Sequence, residues 1–281
     1  MSAAQGASAW SIFWEEQGAS GGCLITGDLQ RPLLSQWLSF APQLPSRARV
    51  IDLGCGAATV GRALLDCRQD LRIVGVDAAV VPAQSRPGLE TISSVRMEAL
   101  PFEDSSFHAA VSQFAVEYSD IRGTARELQR VLKPGGSFCF LVHHSDSEIA
   151  RDGRMRRQAL RAMVTGPVRS SFLSGKPERH RQEMDRLIRT YPRERLLRLA
   201  RDYFARRISG NAAERERVVR STLELMSPDV SMLSQLERST LSTARVGNWL
   251  VPLIERMSET AVSVVRTGGG EPISWKIHGR R

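Results

Sequence analysis

The sequence is short of lysine, of paired cysteines and of long apolar runs. Only Lys133, Lys176 and Lys276 are lysines among its 39 basic residues, and the other 36 are arginines. Codon composition alone can produce that skew. The four cysteines, Cys23, Cys55, Cys67 and Cys139, make no CxxC pair, which argues against a clustered zinc site, and no metal is expected. They read as reduced thiols of a cytoplasmic protein. No apolar run approaches the roughly 20 residues of a membrane helix. The opening MSAAQGASAW lacks a basic n-region and an apolar h-region, so neither a signal peptide nor a membrane partner is expected. No internal repeat or low-complexity segment stands out.

What is present is an ordinary globular composition: 281 residues, 42% hydrophobic and 25% charged. That length accommodates one large α/β domain with an insertion, and its core needs no staples. The net charge of +9 is uneven. Between Arg151 and Arg220 there are 20 basic and 8 acidic residues, a net +12 that leaves the rest of the chain at −3. The acids of this block, among them Glu178, Glu183, Asp185, Glu194 and Asp202, stand at i, i+3 or i+4 from arginines, as on solvated helices.

Residues 1–46 read as a helical lead-in, with Trp10, Phe13 and Trp14 at helical spacing, the interruption GASGG, and a second helix over 28–40 opened by Asp28. From Arg49 the segments ARVIDLG, LRIVGVD, TISSVRM, HAAVSQFAV and SFCFLVHH predict five strands. Helices are expected at 60–67 and 124–132, the second stopped by Lys133-Pro134-Gly135-Gly136. Short apolar strands alternating with helices indicate a parallel sheet covered on both faces. Beyond Ser145 only amphipathic helices are legible, such as Met184, Leu187, Ile188 and Tyr191 at i, i+3, i+4 and i+7. Breaks are expected at Gly175-Lys176-Pro177, Ser209-Gly210-Asn211 and Ser227-Pro228-Asp229. A last helix over 247–257 precedes AVSVVR and ISWKIHGR, a hairpin joined by TGGGEP. The expected fold is α/β: a Rossmann-like, seven-stranded, mostly parallel sheet with an antiparallel C-terminal hairpin and a helical insertion after strand five. The corresponding parts are a helical lid (1–46), a core (47–145), an Arg-rich insertion that roofs the substrate side (146–243), and the helix and hairpin that complete the core (244–281).

The chemistry concentrates around Val50-Ile51-Asp52-Leu53-Gly54-Cys55-Gly56. Gly54 and Gly56 permit a tight turn and close approach by a ligand. Asp77 ends the second strand, where a carboxylate can accept from both hydroxyls of a ribose. A dinucleotide site wants a third glycine, and Thr59 stands in its place, so the GxGxxG fingerprint fails.

With these features the sequence resembles the class I S-adenosylmethionine-dependent methyltransferases, in their small-molecule, methyltransferase-domain 11/25-like branch. VIDLGCG is similar to their first motif and GVDAA to their second. EALPFEDSSF and RELQRVLKPGGSFCFLV resemble later segments. The likeness covers about residues 49–145 and extends to the terminal hairpin. It implies S-adenosyl-L-methionine as cofactor, with the backbone of Gly54, Cys55 and Gly56 against its methionine moiety and Asp52 near its ammonium. It places Asp77 on the ribose, Ala78 beside the adenine, Met97 and Glu98 at the adenine edge, and Gln113 and Phe114 facing the methionine part. Two positions depart from the family pattern. Arg96 stands where many relatives carry an acid that accepts from the adenine amino group, and arginine cannot accept; Glu98 or a backbone carbonyl has to substitute. His108 replaces the aspartate of "SFD".

The resemblance names no universal catalytic residue. The candidates lie at carboxyl ends of strands: His143 and His144 after strand five, Glu117 and Tyr118 after strand four. Neighbours on a strand point to opposite faces, so one histidine at most faces the cleft. The expected reaction is in-line methyl transfer to a small-molecule acceptor. Alternatives are an RNA or protein methyltransferase using the basic insertion, and a protein that binds the cofactor without catalysis. Nucleic acid is not an expected partner; a homodimer is left open.

Overall fold

A computed structural model describes residues 9–15, 29–84 and 86–281. Cys23, the Asp28 cap and the GASGG segment lie outside the described residues. The chain divides into two compact units: Arg151–Glu237 forms one, and the residues up to Ala150 with Arg238–Arg281 form the other.

The first unit is built on a seven-stranded sheet of order β3-β2-β1-β4-β5-β7-β6. The strands are β1 (Arg49–Leu53), β2 (Arg72–Val76), β3 (Leu89–Ile92), β4 (Phe107–Gln113), β5 (Leu132–His143), β6 (Ser258–Arg266) and β7 (Pro272–Arg280). The first five pair in parallel, and β7 pairs antiparallel with both β5 and β6. Alternation along each strand sends successive side chains to opposite faces. Val50, Ile73, Ala109, Val111, Cys139 and Leu141 pack with α2 (Gln30–Phe40) and α3 (Thr59–Cys67) in one layer. Ile51, Leu53, Val74, Ala110, Phe138, Phe140 and Val142 face α4 (Ile121–Val131) and α10 (Thr243–Ile254) in the other. Asp120 caps α4, its carboxylate accepting from the Arg122 and Gly123 N–H groups. A further helix, α1, covers residues 9–15.

Several boundaries differ from expectation. The Lys133-Pro134-Gly135-Gly136 segment is not a turn outside the sheet but the start of β5, because Leu132 pairs with Phe107 and a bulge follows. Arg281 fixes the same segment: its carbonyl accepts from the Gly135 N–H, and its N–H donates to the Gly136 carbonyl. β3 lies earlier than TISSVRM suggests. Ser94 takes a left-handed backbone and the Val95 N–H donates to the Asp77 carbonyl, which turns the chain away after Ile92. The last helix starts and ends a few residues before the expected 247–257.

The second unit is helical. The chain enters along α5 (Glu148–Met163), continues through α6 (Gly166–Leu173), α7 (Pro177–Thr190) and α8 (Leu196–Ala205), and leaves along α9 (Ala212–Ser239). Its core gathers Phe172, Met184, Leu197, Phe204 and Val219. The buried His180 joins them, its Nδ1 3.1 Å from the Ser171 hydroxyl. The expected break at Ser227-Pro228-Asp229 is absent, and α9 runs through Pro228. Proline removes one helical hydrogen bond. Val219, Thr222 and Met226 on one side and Leu233 on the other are buried and hold the two halves in register.

Candidate cofactor and acceptor site

β1 ends at Leu53 and the chain turns through Gly54 and Gly56, both left-handed with φ of 66° and 49°. The Gly54 and Cys55 N–H groups both donate to the Val76 carbonyl, at 2.8 and 3.0 Å, which ties the turn to the end of β2. A Cβ on Gly54 would overlap the Cβ of Ala115, and one on Gly56 would overlap the ring of Trp14. The turn therefore requires glycine for conformation and for space alike. α3 begins directly afterwards.

Two carboxylates flank the turn. Asp52, on β1, is 1% exposed, and neither of its oxygens has a well-formed hydrogen bond among the described residues. Burial pushes its pKa up to about 7; the nearby Gly61 N–H, in the first turn of α3, opposes this, and the Asp77 charge adds to it. Asp77 follows β2. Its Oδ2 accepts from the Gly56 N–H and its Oδ1 from the Ala79 N–H, both at 2.9 Å. Burial of the carboxyl raises its pKa, and the two N–H groups hold it down. Cys55 lies buried between them, its thiol pushed well up by burial and by the charges of Asp52 and Asp77. Ala78 is exposed beside Asp77.

The remaining expected residues divide. The Met97 methyl lies 3.5 Å from the position a Cβ would take on Gly54. Glu98 is committed elsewhere: Oε1 accepts from the Asp120 N–H at 2.9 Å and pairs with Arg96 at 3.3 Å. Gln113 accepts from the Trp37 indole N–H at 2.7 Å, a link between α2 and β4. The spacing of Leu33, Trp37 and Phe40 marks Trp37 as core, but nothing local announces where its N–H goes. His108 bonds to the Arg49 N–H through Nδ1 and to Lys133 through Nε2. It serves the far end of the sheet, and burial lowers its pKa, with Lys133 adding to the effect.

The two adjacent histidines part company, as strand alternation requires. His143 Nδ1 lies 2.6 Å from Glu117 Oε1, and the His143 backbone N–H donates to the same oxygen at 2.9 Å. Both side chains are buried. Phe114, left-handed at φ 58°, stacks on the His143 ring at 4.1 Å. His144 points the other way, stacked on Trp275 at 4.6 Å, with Nδ1 accepting from the Asp146 N–H. Burial lowers its pKa, which Asp146 opposes and Arg266 reinforces. His143 and Glu117 are thus brought together, and His144 is not part of that group.

α1 completes the surroundings. Trp14 packs with Cys55, Ala57, Ala79 and Val81, and Ser11 Oγ accepts from the Val80 N–H at 3.0 Å. Trp10 meets Tyr118 edge-on at 5.6 Å, and Tyr118 meets His143 edge-on at 6.1 Å. Helix α1 thus touches the turn after β1, the loop after β2 and the turn after β4, all at carboxyl ends of strands, where open α/β sheets bind ligands. A glycine turn, a partnerless buried carboxylate and a second carboxylate on the adjoining strand can together receive a ligand bearing a cation and vicinal hydroxyls. Among the described residues no group of three or more His, Cys, Asp or Glu could hold a metal ion. No helix among them is long and apolar enough to cross a membrane.

Residues 51–140 match the methyltransferase-domain family. The chain is similar to a malonyl-[acyl-carrier protein] O-methyltransferase of Enterobacter lignolyticus, 30% identical over 47% of this chain and 52% of that one. It is also similar to the uncharacterised methyltransferase YcgJ of Bacillus subtilis, 34% identical over 37% of this chain and 44% of that one. The chain thus spans about half the length of these curated relatives. A solved S-adenosylmethionine-dependent methyltransferase from Thermotoga maritima aligns over 98% of this chain and 99% of that one, at 14% identity and a TM-score of 0.47. On the family match, residues 51–140 of this chain are a methyltransferase domain.

Proposed function

We propose that this chain binds S-adenosylmethionine at the glycine turn and transfers its methyl group to a small-molecule acceptor by in-line displacement. The observation that carries the reading is Asp52. A buried carboxylate with no well-formed hydrogen bond is costly, and it sits beside a turn that only glycine can make. An ammonium group delivered by a ligand removes that cost. When bound, the cofactor supplies a methyl group on a sulfonium, already electrophilic enough that the protein's task is alignment and exclusion of water.

In this reading Asp52 holds the methionine ammonium, and the backbone of Gly54, Cys55 and Gly56 lies against the methionine moiety. Asp77 takes the ribose hydroxyls with the lone pairs left free by the Gly56 and Ala79 N–H groups. Ala78 and Met97 border the adenine. Glu98, whose carboxylate is engaged by the Asp120 N–H and Arg96, contributes its backbone rather than its side chain to the adenine edge. Phe114 and Gln113 close the methionine side. Trp14, packed on Gly56, and Trp10, packed on Tyr118, keep water from the strand ends.

The test is a methyl-transfer assay with methyl-labelled cofactor and a panel of phenols, alcohols, amines, thiols and carboxylic acids. Label moving to a small acceptor supports the reading. Cofactor binding without transfer to any of them, together with transfer to RNA or protein, would overturn the small-molecule assignment.

A further inference from the structure

Holding the cofactor does not call for the buried pair of Glu117 and His143. Resting on the reading above, we propose that His143 is the general base of the transfer, that Glu117 positions it, and that the acceptor is an alcohol or a phenol of ordinary acidity. Glu117 Oε1 receives the His143 backbone N–H at 2.9 Å and lies 2.6 Å from Nδ1. With Glu117 as a carboxylate, Oε1 accepts from Nδ1–H as well as from the backbone N–H, and a neutral ring then keeps its lone pair on Nε2. Nε2 and Glu117 Oε2 are both buried and have no hydrogen-bond partner among the described residues. A pair that served only to tie the turn after β4 to the end of β5 would be expected to satisfy its remaining polar atoms, as buried groups generally do.

The placement agrees. Phe114 is held left-handed, an uncommon backbone conformation for a bulky side chain. There its ring lies flat against His143, and the next residue, Ala115, abuts Gly54. The base therefore stands at the carboxyl end of β5, with β4 between it and the turn assigned to the cofactor. Tyr118 meets the His143 ring edge-on and Trp10 meets Tyr118, so aromatic rings enclose the pair.

The chemistry narrows the acceptor to a group that keeps its proton at neutral pH. A carboxylate is ionised at neutral pH and needs no base; a phenol of pKa about 10, or an alcohol, keeps its proton. His143 Nε2 takes that proton as the acceptor oxygen's electron pair forms the new bond to the methyl carbon and the carbon–sulfur pair returns to sulfur. The imidazolium so formed is balanced by Glu117 and then loses its proton to solvent.

The experiment uses the full chain with histidine labelled in 15N, at pH 8, alone and with S-adenosylhomocysteine. The His143 signals are assigned by their loss in His143→Gln. The expected result is a protonated Nδ1 and a bare Nε2 in both samples. A proton on Nε2, or on both nitrogens, is what a purely structural ion pair gives, and would overturn the proposal. With an O–H acceptor from the panel, His143→Gln is expected to lower kcat by at least a hundredfold. KM and S-adenosylhomocysteine affinity should stay within about threefold, since the ring's one assigned contact, to the acceptor's hydroxyl proton, strengthens mainly in the transition state. Glu117→Gln is expected to lower kcat with the same constancy of KM, and to give a mixture of ring tautomers. Turnover confined to carboxylates or thiols and indifferent to His143 would equally refute it. Failure to bind S-adenosylhomocysteine would instead sink the cofactor assignment, while the tautomer is still read in the ligand-free chain.

Discussion

Asp52 shows how a single residue can carry a functional reading. Its pKa is pushed up to about 7 in the folded chain, chiefly by burial, against about 3.9 in an unfolded one. The folded state therefore binds the proton more tightly. Its contribution to ligand-free stability is fully present below about pH 4 and is lost as pH rises from there through 7, a loss on the order of a few kcal/mol. Urea titrations at pH 5 and pH 8 should show the wild type losing more stability over that interval than Asp52→Asn. Equal losses would mean that Asp52 is not the buried acid it is taken for. A ligand ammonium beside the carboxylate reverses the preference, so binding near pH 6 should release a proton, seen as a buffer-dependent calorimetric enthalpy. Asp77 allows a plainer test. Asp77→Ala removes charge-assisted bonds worth about 1.5–3 kcal/mol each, so affinity for S-adenosylhomocysteine should fall more than tenfold while the fold survives. An unchanged dissociation constant would place the ribose elsewhere.

At the scale of elements, what the sequence shows depends on how local the cause is. The turn after β1 is legible because its glycines and its flanking acids, Asp52 and Asp77, are set by strand ends that periodicity reveals. The start of β5 is not, because the pairing of Leu132 with Phe107 and the bonds from Arg281 come from distant chain. The Glu117–His143 pair falls between these cases. Both residues are visible at strand ends, but only the parallel register of β4 with β5, with Gln113 beside Leu141, brings them together. α9 shows tertiary packing overriding a local signal: Pro228 reads as a break and is absorbed by buried residues on either side. An internal proline costs about 3 kcal/mol relative to alanine in a helix. Pro228→Ala should therefore raise the melting temperature of the chain, followed by circular dichroism. A lower one would show that the proline shapes the helix to its packing.

For the whole molecule the notable property is where charge resides. Residues 151–237 hold 20 basic and 11 acidic residues, the entire net +9 of the chain, and the remainder is neutral. Many of these arginines are paired within the unit, as in Arg156 with Glu194 and Asp229, Arg169 with Glu216, and Arg201 with Asp185. Surface pairs of this kind contribute little stability, but they neutralise cations that a phosphate backbone would need. The chain should therefore bind labelled RNA and DNA only weakly near physiological salt. Fluorescence anisotropy at two salt concentrations checks this. Submicromolar affinity with a steep salt dependence would instead mark the helical unit as a nucleic-acid surface.

The central claim concerns which ligand the first unit was built to hold. Gly54, Gly56 and Asp77 would suit either of two cofactors, and two further features separate them: Thr59 occupies the position where a dinucleotide fold needs glycine, and Asp52 is a buried carboxylate that a ligand ammonium would stabilise. Titration calorimetry of the full chain with S-adenosylmethionine, S-adenosylhomocysteine and NAD decides between them. One-to-one binding of the first two and none of NAD is expected. Tight binding of NAD, with no response to the other two, would contradict it.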